Sequence, residues 1–198
     1  MKLVLASRNR KKMEEIRRVL ALPDLVLLSL DDFPACPEVV EDGSTFEANA
    51  AKKAGVVAGF TGLTALADDS GLVVDGLDGA PGIHSARYAG EGADDTLNLA
   101  KLLSELAARP SAARTARFQC VLALAEPHGT TRCFSGTVEG RIAPAPQGSN
   151  GFGYDPVFIP VGFDITFAQM EASQKDSMSH RGRALAAFAQ AMQNQRSV

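Results

Sequence analysis

The stretch RTARFQCVLALAEPHGTTRCFSGTVE, residues 114–139, decides what kind of sheet this chain builds. Phe118, Cys120, Leu122 and Leu124 fall on alternate positions, the period of a strand with one buried face. EPHGT then turns the chain into a second run, Thr131 to Glu139. Strands joined by so short a turn form an antiparallel hairpin. The rest of the chain interleaves strands with helices, so a purely parallel sheet is excluded. The predicted fold is α/β, with a mixed central β-sheet and flanking helices.

Working outward, Lys2 to Ala6 reads as a buried strand, and Met13, Ile16 and Leu20 then recur at helical spacing. SRNRKK between them is a strand-to-helix turn. Leu25 to Leu30 reads as a second strand and DDFPACPEVVEDG as a loop. A helix follows from near Ser44, capped by Ser44 or Thr45, to about Ala58. Leu63 to Ala67 and Leu72 to Val74 read as two short strands around the polar ADDSG. GLDGAPGIHSARYAGEG is a loop, Leu99, Leu102, Leu103 and Leu106 mark a helix from about Asp94 to Ala108, and QGSNGFGYDP is a second glycine-rich loop. Val157 to Ile159 makes a short strand, and Leu185, Phe188 and Met192 place a final helix at the C-terminus. No repeat, low-complexity tract or linker interrupts residues 1–198, which are expected to form one domain.

With 45% hydrophobic and 22% charged residues the chain has the composition of a folded globular protein. Three cysteines, Cys36, Cys120 and Cys133, with no C-x-x-C pair, suggest neither a disulfide framework nor a zinc site and fit a reducing cytoplasm. The start is too short for a signal-peptide core, and no apolar run is long enough to span a membrane. A net charge of -3 gives no basic field for gripping a nucleic-acid polymer. Its distribution says more. Seven basic residues against two acidic ones lie between Met1 and Leu20, whereas Asp31 to Glu47 carries six acids and no base. A polyanion carried with a divalent cation suits such a pattern; scattered solvated charge is the plainer alternative.

Four places are richer in functional groups than a fold requires. At SRNRKK, backbone N–H groups and the positive end of a helix dipole, with Lys11 and Lys12, suit phosphate, although no P-loop or dinucleotide fingerprint is present. Glu41, Asp68 and Asp69 are candidates for magnesium, which takes oxygen ligands from one or two carboxylates, phosphate and water. Adjacent strand residues face opposite ways, so Asp69 joins Asp68 at one site only if the chain turns at Ser70-Gly71; an Asx-turn is the other reading. Phe152 and Tyr154 bracket Gly153 in a loop where aromatics stack on a nucleobase or pack beneath the loop. His180 and Arg181 precede the last helix, where they read a base or phosphate, or stay exposed beside the cap residue Ser179.

Taken in order, SRNRKK, EDGSTFEANA, ADDSGLVVDGLDGAPGIHSARYAG, GFGYDPVF and SHRGRA resemble the inosine triphosphate pyrophosphatase family, the bacterial non-canonical purine nucleoside triphosphatases. The match spans nearly the whole chain. The resemblance implies an elongated, two-lobed fold with the active site in the cleft. It also implies a cytoplasmic homodimer and magnesium-dependent hydrolysis of inosine, deoxyinosine and xanthosine triphosphates to the monophosphate and pyrophosphate. By position it assigns phosphate binding to Ser7, Asn9 and Lys12 within the turn that also holds Arg8, Arg10 and Lys11. It makes Asp69 the proton acceptor and a metal ligand, Ser70 a substrate contact and Glu41 the second metal ligand, with Asp68 beside them. Phe152, Gly153, Tyr154, Asp155, Lys175, His180 and Arg181 fall on its nucleotide-binding positions. Three departures stand out: Arg8 where many relatives have glycine, TFEANA where many have glutamate before the asparagine, and Val40 where some have a second acid. The expected chemistry is attack of water, oriented by Asp69 or Asp68, on the alpha phosphorus. Donors from His180 and Arg181 would meet the 6-oxo group of the base. A nucleotide-sensing module and a pyrophosphatase for other modified nucleotides are the rival readings.

Overall fold

In the computed structural model, which describes residues 1–20 and 25–196, strand β1 (Lys2–Leu5) lies between two parallel neighbours, β2 (Val26–Ser29) and β3 (Ala65–Val74). β4 (Thr115–Ala125) and β5 (Thr131–Ile142) are the anticipated hairpin, and β6 (Phe158–Pro160) pairs antiparallel with β5, one residue later than expected. The strands follow the order β2-β1-β3-β4-β5-β6. The sheet is mixed, as the hairpin demanded.

The helices start where side chains satisfy free backbone donors. Asn9 accepts from the Lys12 amide to open α1 (Arg10–Val19), Thr45 from Ala48 to open α2 (Phe46–Thr61), and Asp94 from Leu97 to open α3 (Asp95–Ala107). Helix α2 runs a turn beyond Ala58 because nothing breaks it before Gly62, whose φ of 66° ends it in the left-handed conformation. Lys175 lies on a short helix the sequence had not signalled, α4 (Ala172–Met178), which lacks an apolar period. Helix α5 (His180–Arg196) begins at His180, so His180 and Arg181 belong to its first turn rather than to the loop before it. No helix among the described residues is long and apolar enough to cross a membrane.

The chain divides into two compact units. The first comprises Met1–Asp69, Cys120–Gly136 and Arg181–Val198, and strand alternation sorts its core into two layers. Leu3, Leu5, Leu66, Cys120, Leu122 and Leu124 face Met13 and Ile16 of α1 and Leu185 and Phe188 of α5. Val4, Ala65, Ala67, Ala123 and Ala125 face the other way, onto Ala50, Ala54, Val57 and Ala58 of α2. Alanine against alanine lets α2 approach the strands closely, and both faces of the parallel segment are covered. The second unit, Ser70–Gln119 and Thr137–His180, has one core, in which Leu102 and Leu106 of α3 pack with Leu72, Phe118, Ile142, Phe158 and Phe167.

One expectation is overturned. ADDSG is not a turn between two short strands: β3 runs unbroken from Ala65 to Val74. Gly71 is absent from the positive-φ glycines, and the carboxylates that looked like punctuation are accommodated in the strand by buried cations.

Candidate functional site

Because β3 continues through them, Asp68 and Asp69 obey its alternation. Asp68 follows Leu66 onto the α1/α5 layer, and Asp69 follows Ala67 onto the α2 layer. Two adjacent carboxylates therefore enter different environments.

On the first side Asp68 is surrounded by donors. Arg181 Nε donates to its Oδ2 at 2.8 Å, Lys12 Nζ to its Oδ1 at 2.7 Å, and the Cys120 thiol to Oδ2 at 3.2 Å. Arg181 also pairs through Nη1 with Glu15 of α1, and its side chain is 2% exposed. Burial alone would raise the Asp68 pKa, but Arg181 and Lys12 outweigh it and hold the carboxyl well below the usual range. The same burial, with Asp68 beside it, pushes the Cys120 thiol far up, so it stays protonated.

On the second side Lys53, reaching from α2, stands between acids. Its ammonium lies 3.0 Å from Glu41 Oε1, 3.4 Å from Asp69 Oδ1 and 2.8 Å from the Asp68 carbonyl oxygen. Burial would lower the Lys53 pKa, yet Asp69, Glu41 and Asp68 together raise it. Asp69 moves opposite to its neighbour: burial lifts its pKa, Lys53, Lys12 and the Asn49 side chain offset this in part, and Glu41 adds to it, leaving a net rise. Its Oδ2 is buried without a hydrogen-bond partner of normal geometry among the described residues. Paired carboxylates with pKa values driven apart are how a site separates an acid-base group from a fixed charge.

The turn before α1 is pinned by its own short polar side chains. Ser7 Oγ accepts from the Asn9 amide at 3.1 Å, and Asn9 in turn caps the helix. Arg10 and Lys11 lie exposed in its first turn. Arg8 donates to the Cys36 carbonyl at 3.1 Å, tying this turn to the acidic loop that carries Glu41.

The second unit holds the remaining candidates. Asp155 Oδ2 accepts from the Phe152 amide at 2.9 Å and from Lys175 Nζ at 2.5 Å, and the Lys175 ammonium sits 5.2 Å from the Phe152 ring centroid. Gly151 makes this possible: with φ at 73°, a Cβ there would stand 2.0 Å from Asp155 Oδ2. Tyr154 is buried and donates its hydroxyl to the Ser85 carbonyl at 2.9 Å, while Gly153 donates its amide to Asp95. Phe152 is thus the aromatic left partly open in this loop. His180 is buried and stacked on Phe118, ring centroids 4.7 Å apart. Ser70, at the start of this unit, is half-buried.

Sequence reasoning missed Lys53, Asn49 and Glu15. Lys53 and Asn49 lie one turn apart beside the buried Ala50–Ala54 stripe of α2, a signal that was available. Glu15 gave none, since its partner is 166 residues away.

Fold and site together define an α/β protein in which a capped basic turn, two oppositely tuned carboxylates and buried cations lie within one unit. A family model described as the Ham1 family matches residues 3–191. A protein named dITP/XTP pyrophosphatase from Geobacter sulfurreducens is 55% identical over 93% of both chains, and one of the same name from Desulforamulus reducens is 52% identical over 93% of this chain and 92% of its own. A HAM1 protein structure from Coxiella burnetii superimposes with a TM-score of 0.90 at 40% identity, covering 98% of this chain and 99% of that one. The chain belongs to the Ham1 family, which bears out the resemblance carried by its motifs.

Proposed function

We propose that this chain is a magnesium-dependent nucleoside triphosphate pyrophosphatase that hydrolyses dITP, XTP and ITP to the monophosphate and pyrophosphate. The relatives above are named for dITP and XTP pyrophosphatase activity, and this reading adds ITP and magnesium. The observation that supports it most directly is the buried Asp69 carboxylate, raised in pKa and lying beside Lys53 and Lys12. In this reading Ser7, Asn9, Lys12 and the α1 N-terminus bind phosphate oxygens, with Arg8, Arg10 and Lys11 adding positive charge. Asp69 Oδ2 accepts the proton of a water that attacks the alpha phosphorus, and the bond to the bridging oxygen breaks to release pyrophosphate. Lys53 holds Asp69 in place and balances charge as the proton moves.

The donor set fits magnesium. Glu41 and Asp69 already share a cation, the Lys53 ammonium, and no group of three or more His, Cys, Asp or Glu side chains among the described residues could hold a metal by itself. Two carboxylates suit an ion that takes its remaining ligands from phosphate and water. When bound, magnesium neutralises triphosphate charge and makes pyrophosphate a better leaving group. Asp68, saturated by Arg181, Lys12 and Cys120, is assigned the fixed charge that positions Lys12, rather than a metal contact.

For the base, Phe152 offers a ring face, and Lys175, Asp155 and His180 offer polar groups. A donor facing the base at position 6 pairs with the oxo group of hypoxanthine or xanthine and is left unsatisfied by the amino group of adenine. Arg181 is committed to Asp68 and Glu15 and is assigned to structure rather than base reading. Lys175→Met and His180→Ala should each narrow the dITP to dATP ratio of kcat/KM by at least about tenfold. An unchanged ratio in both would remove this pair from base selection. The same family reading carries a cytoplasmic homodimer.

The deciding experiment is pyrophosphate release across a panel of purine triphosphates, with magnesium and with excess chelator. Release from dITP, XTP and ITP, lost on chelation, is the expected result. No release from any purine triphosphate would leave the nucleotide-sensing reading in its place.

A further inference from the structure

Arg8 sits between Ser7 and Asn9, the two residues whose side chains pin the turn before α1. An anchor has to be fixed itself, and here the backbone on both sides is. Arg8 is exposed, yet its Nη2 donates at 3.1 Å to the carbonyl oxygen of Cys36, 28 residues further along the chain. Cys36 is 3% exposed and packs with Leu30, Ala50 and Ala54 in the α2 layer. One side chain thus joins the basic turn to a buried point of the acidic loop.

That loop has few other supports. Between the single turn at Leu30–Asp32 and the start of α2 the chain forms neither helix nor strand. Its entry is held by Asp32, whose Oδ2 accepts the Ser29 amide at 2.8 Å. Its exit is held from α2: Gly43 donates its amide to Asn49 Oδ1 at 2.7 Å, Lys52 pairs with Asp42 at 2.6 Å, and Lys53 with Glu41 at 3.0 Å. Residues 37–40 make no hydrogen bond among the described residues. Glu41 is therefore located by whatever holds Cys36 on one side and by α2 on the other. On the α2 side, the Lys52–Asp42 pair is exposed and contributes little, and Lys53 divides itself between Glu41 and Asp69. The Arg8 bond is charge-assisted and engages a main-chain oxygen, so it persists whatever the loop carboxylates bind.

We propose that Arg8 is a positioning residue: by holding the Cys36 carbonyl it couples the turn before α1 to the loop that presents Glu41, and so sets the place of Glu41 beside Lys53 and Asp69. This rests on the turn and Glu41 serving the pyrophosphatase reaction proposed above. The role is separate from the charge that Arg8 adds at the turn. A lysine supplies the charge equally well, whereas misplacing a site group by about 1 Å costs up to about 100-fold in rate.

Arg8→Lys tests the proposal, because lysine keeps the charge but is one bond shorter and lacks the Nη2 arm. Two quantities are compared with wild type: the rate at which iodoacetamide alkylates the Cys36 thiol in the nucleotide-free protein, read by mass spectrometry, and kcat/KM for dITP. Cys133 is exposed and serves as the internal reference, and Cys120, 0% exposed, reports global unfolding. Cys36 is expected to react about tenfold faster as the loop opens locally, with Cys120 unlabelled, and kcat/KM to fall by about tenfold. Faster alkylation with unchanged kcat/KM overturns the positioning role and leaves a structural tie. Lower kcat/KM with unchanged alkylation overturns it in favour of a direct contact between Arg8 and phosphate, and no change in either overturns it outright. If Arg8→Lys becomes labelled at Cys120, Arg8→Gln is measured against the same criteria. The pyrophosphatase reading fails separately: a wild-type protein that releases no pyrophosphate from dITP, XTP or ITP ends it and the role of Arg8 together, whereas an active wild type matched by Arg8→Lys ends only the role of Arg8.

Discussion

Asp69→Asn is expected to lower kcat for dITP by roughly 100- to 10,000-fold while changing KM by less than about threefold. The amide keeps the size of the side chain but cannot take a proton from water, whereas the phosphate contacts assigned to Ser7, Asn9 and Lys12 remain. The effect on stability should run the other way. Burial raises the folded-state pKa of Asp69 above the ordinary 3.8, so the folded protein holds that proton more tightly than the unfolded chain does. Ionised Asp69 therefore subtracts stability at neutral pH, and the subtraction vanishes as pH falls below 3.8. Measured in chelator, the Asn variant should melt at or above the wild-type temperature at neutral pH and lose that advantage in acid. An inactive variant that also melts lower at neutral pH would point to a structural carboxylate, and an active one would end the base assignment. Functional groups kept at a cost to stability are common where activity needs a strained environment.

The two carboxylates also show what was legible beforehand. The hairpin, the strand-to-helix turn before α1 and the helices α1, α2, α3 and α5 follow from alternation, apolar spacing and capping residues, which are local properties. The unbroken β3 did not, because D-D-S-G has the composition of a turn and only distant partners make it a strand. Arg181 lies 113 residues from Asp68, and no local pattern announces that a guanidinium will be waiting on that face. The same separation explains why SHRG offers Arg181 as a base or phosphate contact or as an exposed neighbour of Ser179, whereas it is buried against two carboxylates. Family order nominated the candidate site residues; it did not say which of them face one another. Strand parity does so once β3 is known to be continuous, giving Asp68 to α1 and α5 and Asp69 to α2.

That division makes the Arg181 cluster the second large effect. Arg181→Met leaves Asp68 and Glu15 as buried carboxylates that have lost their shared counter-charge, and removal of one partner from such a pair destabilises by about 3–5 kcal/mol. Lys12 still faces Asp68, so the loss falls short of a fully isolated charge. Adding Asp68→Asn to Arg181→Met should recover part of the stability, because the charge left stranded is then gone; a double-mutant cycle with additive effects would mean the two do not act as a unit. The pH dependence has a definite sign. Burial opposes ionisation of Asp68, but Arg181 and Lys12 depress its folded pKa well below 3.8, so its contribution is fully present above that value and fades only as pH falls through the depressed one. The stability gap between wild type and Asp68→Asn should stay flat from neutral pH down to the ordinary carboxylate range and close below it. A gap that closes near neutral pH would mean that Asp68 titrates there, and the fixed charge would then be no anchor for Lys12. Because Lys12 answers to Asp68 in the resting protein and to phosphate in the proposed reaction, Asp68→Asn should also weaken nucleotide binding, which a purely structural pair would leave alone.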